Sequence, residues 1–175
     1  MPTSLGGGSQ QGLRIWVKNN AATAGELIKR GTVVNFTSTP TIGFLDLAGT
    51  VDYGSAAAKQ LIPYITVDDA PADSTTDGGA GRLGVAATDI PYGGYGEVIV
   101  YGLAQCLANG ADIVAGDIIT CDSDGEVIDA ANVSHANPFG VGLETGVANQ
   151  LCWCFVNFIG SSAGATGNSF MGLAF

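Results

Sequence analysis

Four cysteines, Cys106, Cys121, Cys152 and Cys154, and a single histidine, His135, are the first residues to test for chemistry. On a strand, Cys152 and Cys154 share one face with Trp153 on the other, an arrangement that lets two thiols chelate. The C-x-x-C pairs of structural zinc are missing, and one histidine cannot build a His-rich site. The thiols are therefore expected as small apolar core residues, and His135, in the turn-rich segment 132–138, as an exposed loop residue. Asp122-Ser123-Asp124-Gly125-Glu126 alternates carboxylates as a calcium loop does, but it lacks the downstream glutamate and has strand-like flanks. A hairpin turn is the expectation there. Gly79-Ala80-Gly81-Arg82-Leu83-Gly84 spells G-x-G-x-x-G, yet an acidic loop precedes it and a strand pattern follows, the reverse of a dinucleotide site. Gly160-Ser161-Ser162-Ala163-Gly164 spells G-x-S-x-G, but no helix follows and His135 precedes the serine, whereas the hydrolase order needs it after. Asn35-Phe36-Thr37 and Asn132-Val133-Ser134 fit the glycosylation rule by coincidence, because residues 1–12 hold neither the basic group nor the apolar run of a secretory signal. No catalytic residue, cofactor or metal is expected.

Composition narrows the classes further. Among 175 residues there are 27 glycines, 46% hydrophobic residues and 13% charged ones, against about 25% charged and about 7% glycine in an ordinary domain. A net charge of -10 repels phosphate, so neither nucleic acid nor an anionic membrane is expected as a partner. A mean hydropathy of +0.30 is too apolar for a disordered chain. No run approaches the roughly 18–20 apolar residues of a membrane helix. So little charge leaves too little polar material for a fully solvated surface, which predicts association with further copies or with an assembly.

The elements follow from punctuation and periodicity. Residues 1–12, with Gly6-Gly7-Gly8, read as a flexible N-terminal arm. Residues 13–159 read as a single β-rich domain. Leu13, Ile15 and Val17 alternate with Arg14, Trp16 and Lys18, which predicts a half-buried strand with Trp16 opposite the aliphatics. Strand patterns recur at 32–37, 41–47, 61–67, 82–88, 97–101, 117–121, 126–130, 139–144 and 151–158, and a short helical turn is expected within 21–29. Residues 68–81 read as an acidic, solvated loop. Asp124-Gly125 predicts a tight hairpin, and residues 91–96 a longer glycine-built turn. Short strands at this spacing predict an all-β barrel or sandwich. Residues 160–175 read as a glycine-rich C-terminal tail whose tip carries Phe170, Met171, Leu173 and Phe175.

From Gly84 onward the order of pieces resembles the capsid decoration proteins of tailed bacteriophages, also called cement or capsid-stabilising proteins. The resemblance rests on Gly84-Val85-Ala86-Ala87-Thr88-Asp89-Ile90, then Gly93 and Gly96, then Val98-Ile99-Val100-Tyr101-Gly102. It continues through Ala115-Gly116-Asp117-Ile118-Ile119, Asp124-Gly125-Glu126-Val127-Ile128, Phe139-Gly140-Val141-Gly142-Leu143-Glu144-Thr145 and the strand 151–158, about half the chain. It implies a small β-barrel or β-tulip-like domain, a homo-oligomer with a trimer favoured, a major capsid protein as partner, and no catalysis. The implied place is the capsid exterior of a virion made in the bacterial host cytoplasm. Trp16, Phe170, Met171, Leu173 and Phe175 are the expected capsid or subunit contacts, with the tail clamping a neighbour or, alternatively, folding back over its own domain. A small-ligand-binding β-barrel and another kind of virion structural protein are the competing readings, and an enzyme is the weakest.

Overall fold

The computed structural model describes residues 12–21, 25–37, 40–46, 61–68, 82–110, 113–133 and 138–159. These form ten strands and one turn of 3-10 helix, Ala130–Asn132. The first five strands are β1 Gly12–Asn19, β2 Val33–Phe36, β3 Ile42–Asp46, β4 Leu61–Asp68 and β5 Arg82–Ala86. The remaining five are β6 Tyr95–Leu107, β7 Ile118–Cys121, β8 Val127–Asp129, β9 Gly140–Gly142 and β10 Leu151–Asn157. The all-β class is as expected, and every predicted strand has its counterpart. The proposed arm before Gly12, the acidic loop after Asp68, His135 and the tail from residue 160 lie outside the described residues.

One continuous sheet closes on itself. Strands β1, β4, β2, β5 and β6 pair in that order, and β1 pairs again with β6, which completes a ring of five strands. The β1–β4 pair is parallel, with Trp16 opposite Tyr64 and Val17 opposite Ile65. The other pairs around the ring are antiparallel. β3 lies on the same edge of β4 as β2 and, among the described residues, pairs with no other strand. From β6 the sheet continues through β10, β9, β7 and β8. Its far end returns to β6 through a bridge between Ala108 and Val127, with the Asn109 N–H donating to the Val127 carbonyl at 3.1 Å.

Two hydrophobic cores result, and β2, β5 and β6 form the wall between them. Val34, Leu83, Val98 and Val100 join Val17, Ile28, Val67 and Ile90 inside the ring. Val33, Val85 and Ile99, which stand opposite one another across the three strands, turn into the second core with Ile119, Val127, Phe139 and Val156. A strand with a core on each face must be apolar at successive positions. That is why Val33-Val34 and Val98-Ile99-Val100 run unbroken, and why all five residues of β5 are buried.

Three expectations change. The helical turn within 21–29 is not found over its described part: Gly25 has φ +94°, outside helical space, and Ile28 instead bridges Ile90. The Asn19 side chain holds that segment by donating to the carbonyls of Glu26 at 3.0 Å and Ile90 at 2.9 Å. Leu13 does not share the core with Val17. The β1–β6 register shifts between Leu13 and Arg14, so Leu13 stands opposite Tyr101 and is 54% exposed. β6 runs six residues beyond the predicted end at Tyr101, because Gly102, with φ +113°, bends the strand without ending it.

Candidate interaction surface

All four cysteines are buried and none is in a disulfide, as expected of small core residues. Cys152 and Cys154 share the inner face of β10, with their Sγ atoms 3.8 Å apart, and Cys106 on β6 is the cross-strand partner of Cys152. The hydrogen bond with Cys154, and then burial, hold the Cys152 thiol far above its ordinary range. The bond with Cys106, and then burial, do the same for Cys154. Burial pushes Cys121 up to about 11, against the pull of Arg82. Protonated thiols are poor nucleophiles and poor ligands. Among the described residues no group of three or more His, Cys, Asp or Glu side chains is placed to hold a metal ion.

The acidic turn is a hairpin, held by the Asp122 carboxylate. Asp122 Oδ1 accepts from the Asp124 and Glu126 N–H groups, each at 2.9 Å, and Oδ2 accepts from the Asn109 side chain. Asp122 N–H donates to the Glu126 carbonyl at 3.0 Å, so three residues, Ser123 to Gly125, make the connection. Gly125 alone supplies a positive φ, +77°, as a three-residue hairpin with a glycine at its left-handed position requires. Beside it lies a shallow groove of about 420 Å³, lined by Glu26, Lys29, Asp124 and Glu126 among others. Partial burial, and then Asp122 and Asp124, raise the Glu126 carboxyl above its ordinary range, while Lys29 opposes them.

Trp16 stands on the outer face of β1, half-buried, with Tyr64 and Glu97 as its cross-strand neighbours. That face is polar and aromatic. Arg14 pairs with Glu97 at 2.8 Å, the Tyr64 and Tyr95 rings meet edge to face at 5.0 Å, and Lys18 Nζ lies 5.6 Å from the Tyr95 centroid. Phe170, Met171, Leu173 and Phe175 lie outside the described residues.

The outer face of the second lobe differs in kind. Leu103 on β6, Phe155 on β10, Val141 on β9 and Ile118 on β7 stand opposite one another in succession, one row across four strands. Tyr101 packs edge to face on Phe155 at 5.3 Å, and Leu13 stands opposite Tyr101. Leu13, Tyr101, Leu103 and Ile118 are exposed, while Phe155 and Val141 are half-buried. No ionisable acid or base belongs to the row. Sequence reasoning missed it, although the alternation Leu151, Trp153, Phe155 against Cys152, Cys154, Val156 carries half the signal. The other half is the register that aligns the four strands.

No family model matches the sequence, and no curated protein matches it. Among solved structures, the chain is similar to the crystal structure of the head fiber gp8.5 N base in bacteriophage phi29. The likeness has 17% identity and a TM-score of 0.45, and covers 83% of this chain and 94% of that one.

Proposed function

We propose that this chain is a virion structural protein that binds the outer surface of an icosahedral capsid and cements neighbouring major capsid subunits, as a homo-oligomer and without catalysis. A trimer is the favoured state, and the bacterial host cytoplasm is the place of synthesis. The observation that carries this reading is the packing of the interior. Both spaces enclosed by the sheet are filled by side chains, from Val17, Val67 and Ile90 in one to Phe139, Val156 and Ile119 in the other. A ligand-binding barrel needs an open interior. What this fold offers a partner is surface.

The decoration-protein resemblance supports the same reading, since its glycine-anchored pieces coincide with load-carrying geometry. Gly84 sits in the wall between the cores, where a Cβ would lie 2.7 Å from the Ile99 carbonyl. Gly93 has φ +71° in the turn before β6, and Gly102 makes the bend of β6 itself. Trp16, Phe170, Met171, Leu173 and Phe175 are the proposed particle contacts. Electron microscopy of particles that copurify with the protein tests this. Ordered density on the outside of the shell is expected, and absence of the protein from purified virions overturns the proposal.

A further inference from the structure

We infer that, in the unassembled chain, the apolar tip at residues 170–175 docks on the chain's own outer row formed by Leu103, Phe155, Val141 and Ile118. Four features point there. The row is a contiguous apolar strip on a chain of net charge -10, and it contains no charged side chain. Such a strip is where a soluble surface takes a partner.

The position of the exit comes next. β10 ends at Asn157, opposite Tyr101, and Phe155 of the row lies two residues before that end. Residues 160–169 therefore start at the margin of the row. A coil of ten glycine- and serine-rich residues has a root-mean-square span of about 17 Å, and four adjacent strands spread over about 14 Å. The linker matches the distance it has to cover.

The tip's own sequence is the third feature. Met171, Leu173 and Phe175 alternate with Gly172 and Ala174, so an extended tip lays three large apolar groups on one side and keeps the other side slim. Residues 160–175 carry no Asp, Glu, Lys or Arg, so no charged side chain is dragged onto the apolar strip.

The choice between the chain's own tip and a neighbour's follows from concentration. A tether this short gives an effective concentration in the millimolar range. A second copy at micromolar concentration competes at a disadvantage of about a thousandfold. The inference concerns the isolated chain and holds whether or not the virion reading does.

The test is crosslinking within the full-length chain. Ile118→Cys and Leu173→Cys are combined, and oxidised with diamide at micromolar protein. Ile118 is 49% exposed, outside both cores. Leu27→Cys with Leu173→Cys serves as the control, since Leu27 is 46% exposed and belongs to the loop before Ile28. An intramolecular disulfide forming at least tenfold faster for the Ile118 pair is the expected result. Equal rates for the two pairs, or a disulfide that joins two chains, overturn the inference. A second measurement needs no new thiol. With Trp16→Phe in the background, Trp153 on the same outer face of β10 reports the row. Leu173→Ser with Phe175→Ser is expected to shift its emission to the red at unchanged far-UV circular dichroism, and an unshifted spectrum counts against docking.

Discussion

Arg82 is the least conventional residue of the second core. It is 8% exposed, its Nη1 donates to Thr120 Oγ1 at 3.2 Å, and its guanidinium carbon lies 5.5 Å from the Phe139 centroid. Burial lowers its pKa. A planar, weakly hydrated cation tolerates such a place better than an ammonium, because one plate serves both the ring and the hydroxyl. Arg82→Ala is expected to cost ~2–3 kcal/mol in urea unfolding through lost packing and the lost hydrogen bond to Thr120, and Arg82→Lys is expected to recover only part of it. The thiols make a second prediction. With Cys152, Cys154 and Cys121 held protonated and all four cysteines buried, a disulfide reagent at pH 8 should titrate none in the folded chain and all four after denaturation. Glu126 makes a third. Its carboxyl is raised, so the folded state holds that proton more tightly than the unfolded one. The resulting stabilisation is present below the unfolded pKa and is lost as pH rises through the folded value. Glu126→Gln should therefore raise the Tm at pH 7 by only ~1–2 °C, because solvent screens the site, and the difference should vanish as pH falls through the carboxylate range.

At the scale of elements, what could be read from the sequence was local and what could not was the pairing. Alternation in β1 and β10, and the Asp124-Gly125 turn, are written in neighbouring residues. The continuation of β6 past Gly102 was hidden, because a glycine after Tyr101 reads as punctuation, and only the pairing of residues 101–107 with β10 shows a strand continuing through it. The helical turn expected within 21–29 failed for the opposite reason: weak local preference lost to the bridge between Ile28 and Ile90. The double burial of β2 and β6 was visible as the apolar runs Val33-Val34 and Val98-Ile99-Val100, but a run alone does not say that two separate cores claim its two faces. Two glycines separate backbone strain from collision. Gly116 has φ +100° with open space around it, so Gly116→Ala should cost ~1 kcal/mol. At Gly125, with φ +77°, a Cβ would also lie 2.7 Å from the Val33 carbonyl, and Val33 N–H donates to the Gly125 carbonyl at 2.8 Å. Gly125→Ala should therefore cost more, ~2 kcal/mol or above, since it pries the β7–β8 hairpin from β2. Thermal melts of the two variants side by side check the order.

At the scale of the whole molecule, Phe158 is the last of the described residues to enter either core. Removal of residues 160–175 should leave a folded domain that melts below the full chain by what the docked tip contributes to the folded state, with weakened particle occupancy as the further loss. Chelator should leave the melt unchanged, whereas an ion present at a hundred times its dissociation constant would contribute ~2.7 kcal/mol. Both cores should melt together, because β2, β5 and β6 belong to each, and one calorimetric transition is expected in place of two. The shared strand also sets a schedule. Gly12 pairs with Gly102, so β1 leaves a ribosome some ninety residues before its antiparallel partner. At ~5–20 residues per second that wait is roughly 5–20 s. For its duration β1 lacks that neighbour, and the ring cannot close. All five ring strands lie within residues 12–107, so the ring can close while β7 to β10 are still to be made, and the second face of β2, β5 and β6 then waits uncovered for them.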